Sequence, residues 1–206
     1  MLAGCGQFSR AMQCYGIMPK GFCELDPCCV PLLQTLAPDA ELAADFYDCD
    51  WKLWGCANIR VLTAGPACQP YSLAGKKLGA KDSRSNQMAD MAKAAAWFNP
   101  DIVILENVSD IMDHPEVLKQ VVTAFKDAGY TMHKPIFDFK HYELGGATKR
   151  RRVFFYFEKH HLAASLPPLK LDLAEPMPPG KAIDYLVPRE EVPVDCILKG
   201  NIVWTP

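Results

Sequence analysis

Two runs of consecutive apolar, largely β-branched residues stand out along the chain: IRVLTA at 59–64 and DIVILENV at 101–108. A strand covered on both faces reads this way, without polar alternation, and polar residues at the ends of both runs fit side chains delivered to a site. Between them, SNQMADMAKAAAWF (85–98) places Met88, Met91, Ala95 and Phe98 at three- and four-residue steps, with Pro100 just beyond. That spacing predicts a helix with one apolar face. Pro115 predicts the start of a second helix, PEVLKQVVTAFKDAGY, and Gly129 falls where its cap belongs. Upstream, QFSRAMQCYG and PCCVPLLQTLA predict shorter helices around a strand KGFCELD (20–26), with a further strand candidate ending near Asp45. Downstream, YTMHKPIFDF and RRVFFYFE predict strands, the second strongly aromatic. Strand–helix alternation of this kind predicts an α/β fold: a mostly parallel, doubly wound sheet with helices on both faces and ligands at the strands' carboxyl ends.

After about residue 159 the pattern changes. SLPPLKLDLAEPMPPGKAIDYLVPREEVP carries seven of the seventeen prolines and predicts an extended segment or the start of another domain. The expected organisation is one domain over 1–159 and a Pro-rich tail over 160–206.

Composition narrows the picture only a little. The 206 residues are 50% hydrophobic and 22% charged, enough for one full α/β core. A net charge of −2 gives no global pull toward nucleic acid, so any such binding rests on local basic patches. No apolar run approaches the roughly 20 residues that span a bilayer, so no membrane partner is expected. The start, MLAGCGQFSR, lacks a signal-peptide pattern, and nine irregularly spaced cysteines fit free thiols in a reducing cytoplasm. Apart from Cys68, the cysteines are expected to pack as small hydrophobes. A zinc site from Cys23, Cys28 and Cys29 lacks a fourth ligand, and no metal is expected.

Candidate chemistry collects at the predicted strand ends. LAGCGQ is a glycine-bracketed turn into a helix, which lets backbone approach a nucleotide-like ligand. Glu24 follows about 20 residues on, where a carboxylate binds ribose hydroxyls. Asp45 stands near the third strand's end. Then come Cys68, in the loop GPACQPYSLAGKKLG, Glu106 after DIVIL, and the basic run KRRR at 149–152.

These residues carry a resemblance. GPACQPYSLAGKKLG resembles the nucleophile loop of the DNA cytosine-5 methyltransferases, and ENV at 106–108 is similar to their Glu-Asn-Val motif. ATKRRRVFF is similar to their Gln-x-Arg-x-Arg motif, LAGCGQ to the end of their cofactor motif, and ELD at 24–26 to their acidic one. The order agrees as well. The resemblance implies a Rossmann-like, S-adenosylmethionine-dependent fold with a truncated first strand, acting on cytosine in double-stranded DNA. It implies Cys68 as the thiolate that adds to the ring, with Gln69 and Ser72 beside it in the loop, and Glu106 sharing a proton with the base. Arg152 would hydrogen-bond the base, Arg150 would position the loop and a phosphate, and Asn107 would tie loops together. For S-adenosylmethionine it implies Leu2, Gly4, Gly6 and Pro66 around the donor and Glu24 on the ribose. Asp45 would take the adenine amino group, with Leu25 and Phe46 flanking the ring. Gly75, Lys76, Lys77, Gly79, Lys81 and Arg84 suit a loop that closes over DNA.

The chain departs from the family pattern in four ways. Ala67 and Thr148 stand where the family has Pro and Gln. The chain starts at the end of the family's first strand, which is central in the sheet, so exposed strand edges are expected. It also ends inside what resembles the first part of a target-recognition domain. Three readings stay open. One is a short or split enzyme of a prokaryotic or phage modification system, in the split case with a second polypeptide carrying that domain as partner. The others are an inactive remnant and the tRNA-directed branch of the family, which shares the mechanism.

Overall fold

A computed structural model describes residues 1–50, 58–67, 86–133 and 150–160, together with the backbone of 137–140. The loop residues Cys68, Gln69, Ser72, Gly75, Lys76, Lys77, Gly79, Lys81 and Arg84 lie outside the described residues, as do Thr148 and the Pro-rich segment beyond residue 160. The chain divides into two compact units, Met1–Phe137 with Phe154–Leu166, and Asp138–Val153 with Pro167–Pro206.

The elements follow the order α1 (Gln7–Gln13), β1 (Gly21–Cys23), α2 (Val30–Leu36), β2 (Glu41–Ala43), β3 (Val61–Ala64) and α3 (Gln87–Phe98). Next come β4 (Ile102–Val108), a 3-10 turn (Ser109–Asp113), α4 (Pro115–Asp127), β5 (Tyr130–Met132), β6 (Phe137–Lys140) and β7 (Arg151–Lys159). β1 pairs parallel with β2, and β3 with β4, while β5 and β7 run antiparallel. The fold is mixed α/β, as the alternation predicts. β1 is shorter than KGFCELD suggested, and YTMHKPIFDF forms two strands, with 134–136 between them outside the described residues.

The core of the first unit lies where the apolar runs predict it. In β4, Val103, Leu105 and Asn107 are buried while Ile102, Ile104, Glu106 and Val108 are half-buried, so one face is sealed and the other partly open. α3 buries Met88, Met91, Ala92, Ala94 and Ala95, and its alanines bring its backbone close to α4. Phe125 of α4 stacks on Phe157 of β7 at a centroid distance of 4.0 Å. The Tyr130 hydroxyl donates to the Pro100 carbonyl at 2.7 Å, fixing β5 to the turn ahead of β4. Gly129 ends α4 at φ 90°, the left-handed backbone a glycine cap supplies.

The cysteines correct one expectation. Cys23 and Cys29 are buried, and burial pushes both thiols up, to about 11 and about 12. Cys5, Cys14 and Cys28 are exposed and are not core residues.

Strands run β1–β2 in one sheet and β3–β4–β7–β5 in the other, with β6 also paired to β7. Residues Met1–Ala3 bridge the two sheets. The terminal amine donates to the Thr63 carbonyl at 2.8 Å, and Ala3 N–H to the Cys23 carbonyl at 3.0 Å.

Gly6, which caps α1, gives the fold its clearest substitution test. Its φ is 77°, and a Cβ there would stand 2.7 Å from Leu36 Cδ2 and 2.9 Å from Leu33 Cδ2. Leu33 is fully buried and cannot swing aside. Gly6→Ala should therefore destabilise the chain by about 2–4 kcal/mol, left-handed strain and overpacking together. Urea unfolding measures this; a change below about 1 kcal/mol would mean that the turn is not packed as described.

Candidate active site

The glycine turn, the loop after β1 and the carboxyl ends of β3 and β4 converge in the first unit. Gly4 and Gly6 both have positive φ, and the Gly6 N–H closes the turn on the Ala3 carbonyl at 3.0 Å. Gly4 N–H donates to Glu24 Oε2 at 2.6 Å, and Asp26 N–H donates to Glu24 Oε1 at 2.9 Å. Each carboxylate oxygen keeps a free lone-pair direction for a hydroxyl donor. Among the described residues nothing lies within 4 Å of where a Gly4 Cβ would be, which leaves this side of the turn open to a ligand.

Leu25 is 66% exposed, while Phe46 is buried. Asp45 accepts Tyr47 N–H at 2.8 Å through Oδ1, which aims the carboxylate locally. The Tyr47 hydroxyl reaches Asp90 on α3 at 3.0 Å; desolvation and that carboxylate push its pKa up to about 12. An open glycine cradle, a carboxylate anchored beside it and an exposed aliphatic side chain fit a nucleoside-bearing cofactor.

At the other side of the turn stands Gly65, immediately after β3. A Cβ on Gly65 would lie 3.6 Å from the Leu2 carbonyl oxygen and 3.7 Å from Glu106 Oε2. The Glu106 carboxylate therefore sits next to the exit of β3 and the start of the glycine turn. Strand alternation puts Glu106 on the half-open face of β4 and Asn107 on the sealed face. Asn107 is 1% exposed, and its Nδ2 reaches the Pro66 carbonyl and Met88 Sδ, each at 3.4 Å. Its Oδ1 accepts Val108 N–H at 2.9 Å. Asn107 thus bolts the segment ahead of Cys68 to β4 and α3.

Sequence reading missed Gln87. Its Oε1 accepts the Ala67 N–H at 2.9 Å. A proline at 67 has no N–H to give, so this bond exists only because Ala67 departs from the family pattern. It fixes the residue directly before Cys68. No periodicity marks Gln87, which is simply the first residue of α3. Removing the bond with Gln87→Leu should slow covalent capture of a 5-fluorocytosine duplex about tenfold, the scale of one lost hydrogen bond. Unchanged capture would free Gln87 of any positioning role.

Arg150 and Arg152 belong to the second unit, at the head of β7. Arg150 is exposed; Arg152 is half-buried, and its Nη1 donates to the Arg151 carbonyl at 2.8 Å.

Comparison with known proteins decides the family. Residues 1–181 match the C-5 cytosine-specific DNA methylases. The chain belongs to that family. Type II methyltransferase M.Eco47II of Escherichia coli is 29% identical over 141 residues, covering 66% of this chain and 33% of its own length. M.HgiBI of Herpetosiphon aurantiacus is 33% identical over 156 residues, covering 75% of this chain and 35% of its own. The chain thus spans about a third of the length of these methylase relatives. An E. coli prophage protein described as a DNA modification methyltransferase superposes with a TM-score of 0.71 at 19% identity, over 91% of this chain and 54% of its own. That likeness confirms the methylase fold.

Proposed function

We propose that this chain is the catalytic part of a DNA cytosine-5 methyltransferase, moving a methyl group from S-adenosylmethionine to carbon 5 of cytosine. The observation that carries the reading is the meeting of the Glu106 carboxylate, the exit of β3 and the glycine turn around Gly65. One side of that junction is built to hold a nucleoside, and the other leads straight into Cys68.

The chemistry follows from cytosine itself. Carbon 5 is too weak a nucleophile to take a methyl group unaided. The Cys68 thiolate adds at carbon 6, which makes carbon 5 enamine-like. S-adenosylmethionine supplies an electrophilic methyl group on sulfonium. Held by Gly4, Gly6, Glu24, Leu25, Asp45 and Phe46, it would give that methyl group to carbon 5 and keep the electron pair of the broken bond on its sulfur. Loss of the carbon 5 proton and departure of the thiolate then restore the ring. Glu106 holds a proton against ring nitrogen 3 while Cys68 adds, offsetting the charge that builds there. Arg152 hydrogen-bonds the base, and Arg150 holds the loop and a phosphate. Gln69 and Ser72 complete the loop around the thiol, and Pro66 and Leu2 border the methyl donor. Carbon 5 is out of reach inside a duplex, so the base must be flipped out.

A polypeptide carrying a target-recognition domain is proposed as a partner in selecting the DNA sequence. Transfer of tritiated methyl groups to mixed-sequence DNA, with and without that polypeptide, tests the reading. Label recovered as 5-methylcytosine supports it; no label in either mixture refutes it for this chain.

A further inference from the structure

Two cysteines that the proposed chemistry does not use meet beside the glycine turn. Cys5 stands between Gly4 and Gly6, and its Sγ lies 3.6 Å from Sγ of Cys29, 24 residues further along. Cys29 caps the start of α2; its N–H donates to the Asp26 carbonyl at 3.0 Å, and its own carbonyl accepts Leu33 N–H at 3.1 Å. Leu33 is fully buried and packs against Gly6. Cys29 is itself buried, whereas Cys5 is exposed. One sulfur is open to solvent and a second waits in contact behind it, which is the layout of a peroxide-sensitive dithiol.

We propose that Cys5 and Cys29 form a reversible disulfide, with a hydroperoxide as oxidant, and that this bond loosens the glycine turn from Glu24. The Cys5 sulfur attacks the peroxide, the O–O bond breaks, and one oxygen stays on sulfur as a sulfenic acid. With hydrogen peroxide the other oxygen leaves as water. The Cys29 sulfur then bonds to the Cys5 sulfur, and the displaced hydroxide leaves with the Cys29 proton as a second water. Two electrons pass from the sulfurs to the peroxide oxygens, and a thiol reductant reverses the step by exchange. Burial and the contact with Cys5 push the Cys29 thiol up to about 12, which leaves Cys5 as the sulfur that meets the oxidant.

The consequence falls on the turn. An S–S bond is about 2.05 Å long, so the sulfurs must close by roughly 1.5 Å. Cys29 is pinned at the entry of α2, and Gly6 is wedged against Leu33 and Leu36. The movement is left to Cys5 and Gly4, where the described residues leave open space. Gly4 N–H is the donor that holds Glu24 Oε2 at 2.6 Å, and the disulfide draws it out of line. An effect on S-adenosylmethionine rests on the methyltransferase reading; the disulfide and the released Gly4 amide do not.

The test treats the full reduced chain with hydrogen peroxide, blocks the remaining thiols with N-ethylmaleimide and maps cross-links by peptide mass spectrometry. The expected product joins Cys5 to Cys29 and disappears with dithiothreitol. Amide exchange at Gly4, followed by NMR, should quicken in the oxidised chain. Affinity for S-adenosylmethionine should fall about tenfold and return on reduction, the scale of one hydrogen bond to a charged group. Cys5→Ser, at an exposed position, should keep the affinity of the reduced parent and lose the response to peroxide. Cys28→Ser should respond as the parent does, although Cys28 is an exposed thiol next to Cys29. No cross-link at Cys5, or one to Cys28 instead, would overturn the proposal, as would unchanged Gly4 exchange in the cross-linked chain. Failure of the cofactor reading shows separately, as a reduced chain that binds no S-adenosylmethionine while the disulfide still forms and Gly4 exchange still quickens.

Discussion

Cys68→Ser should lower methyl transfer to DNA by about 10⁴-fold or more, the scale on which enzymes lose activity with their nucleophile. A serine hydroxyl is nearly isosteric but is not ionised near neutral pH, so it cannot make carbon 5 nucleophilic by adding to carbon 6. The two residues ahead of Cys68 are fastened independently of its side chain. Asn107 holds the Pro66 carbonyl, and Gln87 holds the Ala67 N–H. The substitution should leave that anchoring intact, so affinity for S-adenosylmethionine and the unfolding midpoint should not move. Activity within tenfold of the parent would place the nucleophile elsewhere.

Glu106→Gln carries the second large effect, an expected loss of about 10²–10⁴ in the rate of the chemical step. The amide keeps the side chain's size and its place beside Gly65, on the half-buried face of β4. It cannot share an acidic proton with ring nitrogen 3, so charge accumulates on the base as the thiol adds. Single-turnover kinetics separate this from binding: the rate constant should fall while DNA affinity changes little. A loss confined to DNA affinity would make Glu106 a binding residue. Glu106→Asp should recover little, because shortening the side chain moves the carboxyl group away from the base.

Much of the framework was legible because the strongest signals are local. The β-branched runs became β3 and β4, the three- and four-residue apolar steps became the buried face of α3, and Pro115 and Gly129 framed α4. β2 is only Glu41–Ala43, too short to carry a period of its own, and the 3-10 turn at Ser109–Asp113 gave no pattern at all. The even apolar run of 101–108 predicted equal cover on both faces, yet Ile104 and Glu106 remain half-buried because that face borders the site.

The site itself was legible as a set of residue types and illegible as a set of contacts. Glu24 could be placed near the glycine turn from its distance along the chain. That its carboxylate already holds Gly4 and Asp26 could not be read from the chain, because those bonds depend on where the turn folds back. Gln87 was invisible for a related reason. Its partner is a backbone N–H that becomes available only where Ala67 replaces an expected proline, and its own position depends on where α3 begins. Cys5 and Cys28 show the limit of composition: a thiol is commonly buried, yet whether these two are depends on a turn and a helix entry.

The most direct measurement is to incubate the full chain with S-adenosylmethionine and duplex DNA containing 5-fluorocytosine, then locate the adduct by mass spectrometry. Fluorine at carbon 5 cannot leave as a proton does, so the covalent intermediate accumulates after methyl transfer. The expected product is one chain joined to one DNA strand through the Cys68 sulfur, with a methyl group added to the base. An adduct on any other residue, or a methylated base with no protein attached, would contradict it.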